Sequence, residues 1–232
     1  MTAADSLAVW LRVRREADWR HAPVLRRVPS ASDGFRTWCE GPVRRRDPVR
    51  AERLLAAHTL ALADAARRTP LSFALLSGWQ REVLGAAEAP FRTDDACAKD
   101  GRERYGLTSR TPADFASCLR ETTDPDLPLA ARAARVYLDV AFFHPFADGN
   151  ARAALLTLVH VLAREGVVLP EVGPLQTTRY ADDPAGAADL AALIGVLNRP
   201  RYRPQAAQIP GQGSSSRNRG RPSGSVVGTS AP

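Results

Sequence analysis

The sequence predicts an all-α fold, and three observations support this prediction. Four helix starts carry a capping residue followed by proline, and these are Asp47-Pro48, Thr69-Pro70, Thr111-Pro112 and Asp183-Pro184. Apolar residues recur at three- and four-residue steps in the segments that follow. With 232 residues and 44% hydrophobic content, the chain can bury one sizeable core.

The first 46 residues are expected to form an N-terminal arm that packs on the core. A short helix is predicted over residues 7–18, and prolines and glycines then interrupt regular structure up to residue 46. Four large aromatic residues make the arm apolar enough to pack on the main body, and these are Trp10, Trp19, Phe35 and Trp38.

Residues 47–198 are expected to hold the main helical domain. The predicted helices cover residues 48–68, 70–84, 112–122, 128–143 and 184–197, and a further helix begins near residue 150. His58 lies on the apolar face of the first of them and is interpreted as a core histidine. Residues 85–110 contain glycines and show no helical period, which predicts a loop or a short β-hairpin.

Residues 199–232 are expected to form a basic, disordered tail. The chain has a formal net charge of +7, but six arginines and no acidic residue follow Asn198. Without these six, about +1 remains on the rest of the chain. A solvated tail therefore explains the charge better than a nucleic-acid site does.

The cysteines and the N-terminus indicate the compartment. Cys39, Cys97 and Cys118 are odd in number and form no C-x-x-C pair, so neither a disulfide framework nor a zinc site is predicted. The N-terminus lacks a basic region of a secretory signal, and no apolar run approaches the ~18 residues of a membrane span. We therefore expect a cytoplasmic protein with no membrane association.

One polar stretch concentrates residues with catalytic potential. It reads His144-Pro145-Phe146-Ala147-Asp148-Gly149-Asn150-Ala151-Arg152 and lies between two apolar segments that are predicted to be helices. His144 suits a general base near neutral pH. Gly149 and Asn150 can adopt backbone angles that let successive N–H groups converge on an anion, beside the positive end of the following helix.

The remaining charges of this stretch suit a magnesium nucleotide. Arg152 can donate two hydrogen bonds to phosphate oxygens. Asp148 would repel a bare phosphate but becomes useful when a divalent cation bridges the carboxylate to that phosphate. The stretch could also be only a helix end, a turn and a cap. A calcium loop is excluded because Arg152 and Val159 replace two ligands, and a transition-metal site lacks a third ligand.

The nine residues resemble the signature of the Fic/Doc family, His-x-Phe-x-Asp/Glu-Gly/Ala-Asn-Gly/Lys-Arg, and the resemblance extends over residues 131–166. It implies a Fic-type helical bundle with a β-hairpin flap upstream of the signature, which residues 88–106 could supply. It also implies transfer of a phosphate-containing group, AMP in most of the family, from a nucleotide triphosphate to a hydroxyl side chain of a target protein.

The resemblance assigns roles by position. His144 would deprotonate the target Ser, Thr or Tyr, and Asp148 would hold Mg²⁺. Phe146 would anchor the loop in the core. The phosphates of ATP, the expected co-substrate, would be bound by the segment Gly149, Asn150, Ala151 and Arg152.

The flap would clamp the target as an added strand, so that its backbone matters more than its side chains. Phe91, Arg92 and Lys99 are the candidate target-binding residues of this flap. As flap charges, Arg92 and Lys99 are expected to be solvated.

Two departures from the family pattern affect the expected reaction. Ala151 replaces the usual glycine, and Leu155 replaces a second arginine that normally grips the terminal phosphates. No inhibitory Ser/Thr-x-x-x-Glu-Gly/Asn helix is present. Transfer of AMP, or of another nucleotide monophosphate, is the expected activity. The alternatives are γ-phosphate transfer by a Doc-like protein kinase, although that branch has lysine at position 151, and a catalytically silent module that binds peptides.

Overall fold

The computed structural model describes residues 5–27 and 32–199. Its α-helices, in chain order, are α1 Ser6–Glu16, α2 Gly34–Trp38, α3 Arg44–Arg46, α4 Pro48–Ala66, α5 Phe73–Leu84, α6 Thr111–Arg120, α7 Leu129–Phe143, α8 Asn150–Arg164 and α9 Pro184–Leu197. Strands β1 Ala96–Ala98 and β2 Glu103–Tyr105 form an antiparallel hairpin. The predicted all-α fold with an upstream hairpin is confirmed. The predicted basic tail, apart from Arg199, lies outside the described residues.

Helices α7 and α8 form the centre of the molecule. They pack on each other, α8 also packs on α4, and α7 also packs on α9. Four fully buried alanines near the start of α7 allow close approach of its neighbours, and these are Ala130, Ala131, Ala133 and Ala134. The polar stretch of the sequence joins α7 to α8, so two buried helices hold it at both ends.

The helix starts agree with the sequence at two of the four proline signals. Asp47 and Asp183 each accept a hydrogen bond from a backbone N–H in the first turn of α4 and α9. The predicted start of α5 at residue 70 is wrong, because Ser72 caps this helix through its hydroxyl, 3.2 Å from the N–H of Leu75. Helix α6 begins at Thr111, one residue earlier than predicted.

The second part of the N-terminal arm is helical, and the prediction of irregular structure there is wrong. A π-helical turn, Cys39–Val43, joins α2 to α3. Pro42 lies inside this turn. Proline has no N–H to donate, and the wider π turn accommodates it without ending the helical path. The ring of Phe35 stacks on His58 at 4.4 Å, and His58 is buried in the core as predicted.

The first helix of the arm is tied to α7. Trp10 and Asp139 are both fully buried, and the indole Nε1 donates to the Asp139 carboxylate at 3.0 Å. Arg14 adds two hydrogen bonds to the same carboxylate, at 2.7 and 3.0 Å. A buried carboxylate needs such compensation. The bonds attach α1 to α7 five residues before His144, where the polar loop begins.

Two further observations concern membrane-spanning helices and the cysteines. Among the described residues, none of the helices combines the length and the apolar character that crossing a bilayer requires. Cys39 and Cys118 are buried and Cys97 is exposed on β1, all three as free thiols. Burial raises the pKa of Cys39 and of Cys118 to about 12, so these two thiols stay protonated.

Candidate active site

The loop between α7 and α8 is bounded by two residues in the left-handed backbone region. His144 ends α7 with φ 46°, and Gly149 precedes α8 with φ 78°. Glycine is required at 149 for a second reason, because a Cβ there would lie 2.4 Å from Nε2 of Gln80. A left-handed conformation is costly for histidine, so the surrounding packing must hold His144 in place.

Asn150 fixes the shape of this loop. Its Oδ1 accepts from the N–H of Phe146 at 2.9 Å, and its Nδ2 donates to the carbonyl of the same residue at 2.8 Å. Asn150 is buried, and so is Phe146, whose ring stacks on Phe73 at 5.4 Å. The amide of Asn150 therefore holds the loop closed, whereas the sequence indicated direct contact with phosphate.

His144 is arranged to accept a proton at one nitrogen. Its Nδ1 lies 2.6 Å from the carbonyl oxygen of Ala141. A carbonyl can only accept, so Nδ1 carries the proton and Nε2 has a free lone pair. Burial is the main factor that lowers the pKa of His144. The positive charges of Arg92 and Lys99 also lower this pKa, whereas the hydrogen bond to Ala141 raises it. The imidazole is therefore neutral at pH 7.

Tyr105 holds the plane of the histidine ring. The two rings stack with centroids 4.7 Å apart and an interplanar angle of 21°. The Tyr105 hydroxyl donates to Glu103, and burial together with this carboxylate raises the pKa of Tyr105. Tyr105 stays neutral, and its fully buried ring shields one face of His144 from water.

Asp148 and Arg152 form an ion pair at the other end of the loop. Oδ2 of Asp148 lies 2.9 Å from Nη2 of Arg152, and Oδ1 accepts from the N–H of Gly149 at 2.6 Å. The Asp148 side chain is 77% exposed, so a ligand can reach it. Gln80 fixes the backbone of the loop by donating to the Asp148 carbonyl at 2.7 Å.

The start of α8 offers N–H groups to a ligand. This helix has no side-chain cap among the described residues, and Ala151 in its first turn is exposed. Uncapped N–H groups and the helix dipole attract anions. A phosphate at this position would lie next to Asp148 and Arg152.

A divalent cation fits here only if a phosphate completes its coordination. No group of three or more His, Cys, Asp or Glu side chains within residues 5–27 and 32–199 could hold a metal alone. Magnesium is commonly held by one or two carboxylates, substrate phosphates and water. The exposed carboxylate of Asp148 suits that role.

A single cavity collects the residues that the sequence singled out. Its volume is about 1040 Å³, and it lies between the hairpin segment and the polar loop. The nine candidate residues that line it are Phe91, Arg92, Lys99, His144, Asp148, Gly149, Asn150, Ala151 and Arg152. The structure thus brings all of them together around one space.

Arg92 attaches the flap to the polar loop and is not solvated as predicted. Its N–H donates to the carbonyl of Pro145 at 2.8 Å. Its guanidinium donates to three carbonyls: Gly106 at 2.9 Å, Phe143 at 3.4 Å, and Asp94. The side chain is buried because it satisfies backbone groups from three segments, and burial lowers the pKa of Arg92.

Lys99 is also withdrawn from solvent, and the prediction of a solvated charge is wrong here as well. Its ammonium pairs with Glu103 and lies 4.8 Å from the ring centroids of Phe142 and Tyr180. Glu103 in turn accepts from the N–H of Ala181 at 2.9 Å. The flap is therefore fastened to the body of the protein by its charged residues.

The two edges of the hairpin differ. Asp5 forms a bridge to Arg104 on the outer side of β2, and its carboxylate accepts from the N–H of Gly106 at 2.9 Å. The outer side of β1, Ala96–Ala98, has no strand partner among the described residues. Of the two strands that the structure describes, β1 is therefore the one with an edge open to an added strand.

Sequence reasoning missed two residues that position the site. Gln80 lies on the buried face of α5 together with Leu76, Trp79 and Val83. A glutamine among apolar residues at helical spacing indicates a buried side chain that needs hydrogen-bond partners, and this signal was present in the sequence. Tyr105 gave no comparable signal, because the hairpin segment has no long period and the stack on His144 spans 39 positions.

Comparisons with known proteins agree with this architecture. The Fic/DOC family model matches residues 50–162. The crystal structure of IbpAFic2 is similar with a TM-score of 0.52 and 13% identity, covering 86% of this chain and 70% of that chain. An IbpAFic2 variant in complex with adenylylated Cdc42 gives 0.51 and 13%, with 82% and 69% coverage. IbpAFic2 covalently tethered to Cdc42 gives 0.50 and 14%, with 83% and 69%.

At these identities, the structural likeness concerns the fold. Among curated proteins, no sequence matches the chain. The family match covers α4 through most of α8, which includes the hairpin and the whole polar loop. The expected resemblance to the Fic/DOC family is therefore confirmed over residues 50–162, which make up just under half of the 232 residues.

Proposed function

We propose that the chain transfers AMP from magnesium-bound ATP to a hydroxyl side chain of a target protein. One observation carries the proposal: His144, whose Nε2 has a free lone pair, lines the same cavity as Asp148 and as the residues at the uncapped start of α8. A base and an anion site then lie together around one ligand. The match to the Fic/DOC family model supports a transferase, and the complex of an IbpAFic2 variant with adenylylated Cdc42 supports AMP as the group and a protein as the acceptor.

The reaction needs one proton transfer and one displacement at phosphorus. The target hydroxyl gives its proton to Nε2 of His144. Its oxygen forms a bond to the α-phosphorus, and the bond from that phosphorus to the oxygen shared with the β-phosphate breaks. Pyrophosphate leaves with the electron pair. The N–H groups at the start of α8 stabilise the charge that develops on the α-phosphate.

Binding of the nucleotide requires the Asp148–Arg152 pair to separate. Asp148 would turn its carboxylate to Mg²⁺, which when bound neutralises phosphate charge. Arg152 would donate to the phosphates in its place. The pair is partly exposed and stabilises the free protein little, so the exchange costs little.

The target would reach the cavity as a strand added to β1. Arg92 and Lys99 are fastened to the body of the protein, which keeps this edge at a fixed distance from His144. Arg92 and Lys99 would then contribute to target binding by holding the flap in place. Phe91 lines the same cavity. Three free cysteines, one of them exposed, favour a reducing compartment, and we place the activity in the cytoplasm.

ATP labelled at either the α- or the γ-phosphate tests the proposal. Purified protein is incubated with a lysate and each label, with His144→Ala as control. Label on protein from the α position alone, absent with His144→Ala, is the expected result. Label from the γ position alone would indicate a Doc-like kinase, which the loss of the second arginine at Leu155 favours. No label from either position would leave a peptide-binding module.

A further inference from the structure

A second, smaller cavity adjoins the first at the Asp148–Arg152 pair. Its volume is about 190 Å³, and Asp148, Arg152 and Leu84 line both cavities. Arg50 and Arg53 of α4 line only the smaller one. His144 lines only the larger one. A chain of phosphates bound at Asp148 and Arg152 can therefore reach either toward His144 or away from it.

Two guanidinium groups are held side by side at the rim of the smaller cavity. Nη1 of Arg53 donates to the carbonyl of Leu84 at 3.0 Å, and Nη1 of Arg152 lies 3.5 Å from the carbonyl of Val83. The last carbonyls of α5 thus orient both arginines. Each guanidinium carries five N–H donors, so donors remain for an anion.

The position after α5 is adapted to Arg53. Gly85 has φ 62°, and a Cβ at this position would lie 2.4 Å from Cζ of Arg53. A larger residue at 85 would be strained and would push the guanidinium away. The glycine therefore serves both the end of the helix and the placement of Arg53.

The charges around the smaller cavity favour an anion. Three guanidinium groups face two carboxylates, those of Asp47 and Asp148. Asp47 caps α4 by accepting from the N–H of Arg50 at 2.9 Å, and its other carboxylate oxygen lies 3.4 Å from Nε of Arg50, so it offsets that charge in part. When Asp148 is bound to a cation, no carboxylate that lines this cavity remains paired with Arg53 or Arg152, and the cavity keeps a net positive charge.

We propose that the smaller cavity binds the β- and γ-phosphates of the nucleotide and receives the pyrophosphate that leaves. This inference rests on the proposed function. Leu155 has 1% exposure and lies in the core, so that position supplies no charge to the terminal phosphates. Arg53, together with Arg50, supplies it from α4. With the terminal phosphates directed away from His144, the α-phosphate is the one left beside the base.

The test is calorimetric titration of the full chain with ATP and, separately, with AMP, both in the presence of magnesium. Arg53→Gln should weaken ATP binding about tenfold, as expected for one partly exposed charged contact, and leave AMP binding unchanged. Arg53→Lys should recover part of the loss. Arg12→Gln removes an exposed charge on α1, outside both cavities, and should change neither affinity.

The outcomes separate this inference from the proposed function. If wild type binds ATP and transfers AMP while Arg53→Gln binds ATP equally well, the cavity assignment is overturned and the function stands. An equal loss for ATP and AMP would also overturn the assignment, because AMP has no terminal phosphates. If wild type binds neither nucleotide, the proposed function fails and this inference fails with it. Melting temperatures of all variants establish that each is folded, as expected for exposed side chains.

Discussion

Replacement of Asn150 by alanine should damage both the fold and the nucleotide site. Asn150 makes two hydrogen bonds to one residue, from Phe146 N–H to Oδ1 at 2.9 Å and from Nδ2 to the Phe146 carbonyl at 2.8 Å. Both residues are buried, so water cannot replace the lost partner without entering the core. A buried backbone group without a partner costs ~1–3 kcal/mol.

The two lost bonds together should lower the free energy of unfolding by about 2–4 kcal/mol. For a chain of this size, 1 kcal/mol shifts the melting temperature by about 2–4 °C, which gives a decrease of about 4–16 °C. The loop that joins α7 to α8 also loses its closed shape. ATP affinity should therefore fall as well, although the Asn150 side chain itself is occupied by the loop.

Asn198 offers a matched control. It makes the same pair of bonds to one backbone residue, accepting from Arg26 N–H at 2.7 Å and donating to the Arg26 carbonyl at 3.0 Å, and its side chain is equally buried. Because Arg26 is exposed and water can reach its backbone, Asn198→Ala should lower the melting temperature by a smaller amount, and it should not change ATP affinity. Calorimetry and thermal melts of both variants decide the matter. An Asn150→Ala protein that melts like wild type would refute the loop-closing role.

Three more perturbations follow from the same contacts. His144→Ala should slow AMP transfer by about 10²–10⁴-fold in a single-turnover assay but leave ATP affinity unchanged, because Nε2 acts on the target hydroxyl; unchanged transfer would exclude His144 as the base. Arg92→Met removes the hydrogen bonds to three backbone carbonyls and should reduce labelling of a protein target more than it reduces ATP binding. Unchanged labelling would show that other contacts alone hold the flap. Burial lowers the pKa of His58 and His160 below 6.5. As the pH falls below that value, the unfolded chain therefore binds protons at these histidines that the folded protein does not bind. Melting temperature should then decrease as the pH falls below about 6.5, and a rise over that range would contradict this reasoning.

Local signals in the sequence predicted much of the fold. Asp47-Pro48 and Asp183-Pro184 marked helix starts correctly, because the cap and the helix that it starts are neighbours in the chain. The prediction from Thr69-Pro70 was wrong because a second capping residue, Ser72, lies three positions after Thr69, and nothing in the local sequence decides between the two. The helical arm around Pro42 was missed because a π turn is a rare solution that depends on packing.

The sequence predicted which residues form the candidate site better than it predicted the hydrogen bonds that these residues make. The nine residues were found because they lie in two short segments of the sequence, one of which matches a family pattern, but the partners of the Arg92 guanidinium come from as far as 51 positions away. A charge in a polar segment is ordinarily solvated, and only the fold reveals three carbonyls that need a donor. The pairing of Arg53 with Leu84 across 31 positions is equally invisible in the sequence.

The unequal edges of the flap have a consequence for target selection. Because Asp5 bridges to Arg104 on the outer side of β2, the free edge that the described hairpin offers to a guest strand is that of β1. Backbone pairing along three residues of β1 is indifferent to the side chains of the guest. Discrimination among proteins must then arise from how a whole folded surface fits around the flap, and short peptides should be poor substitutes for an intact target.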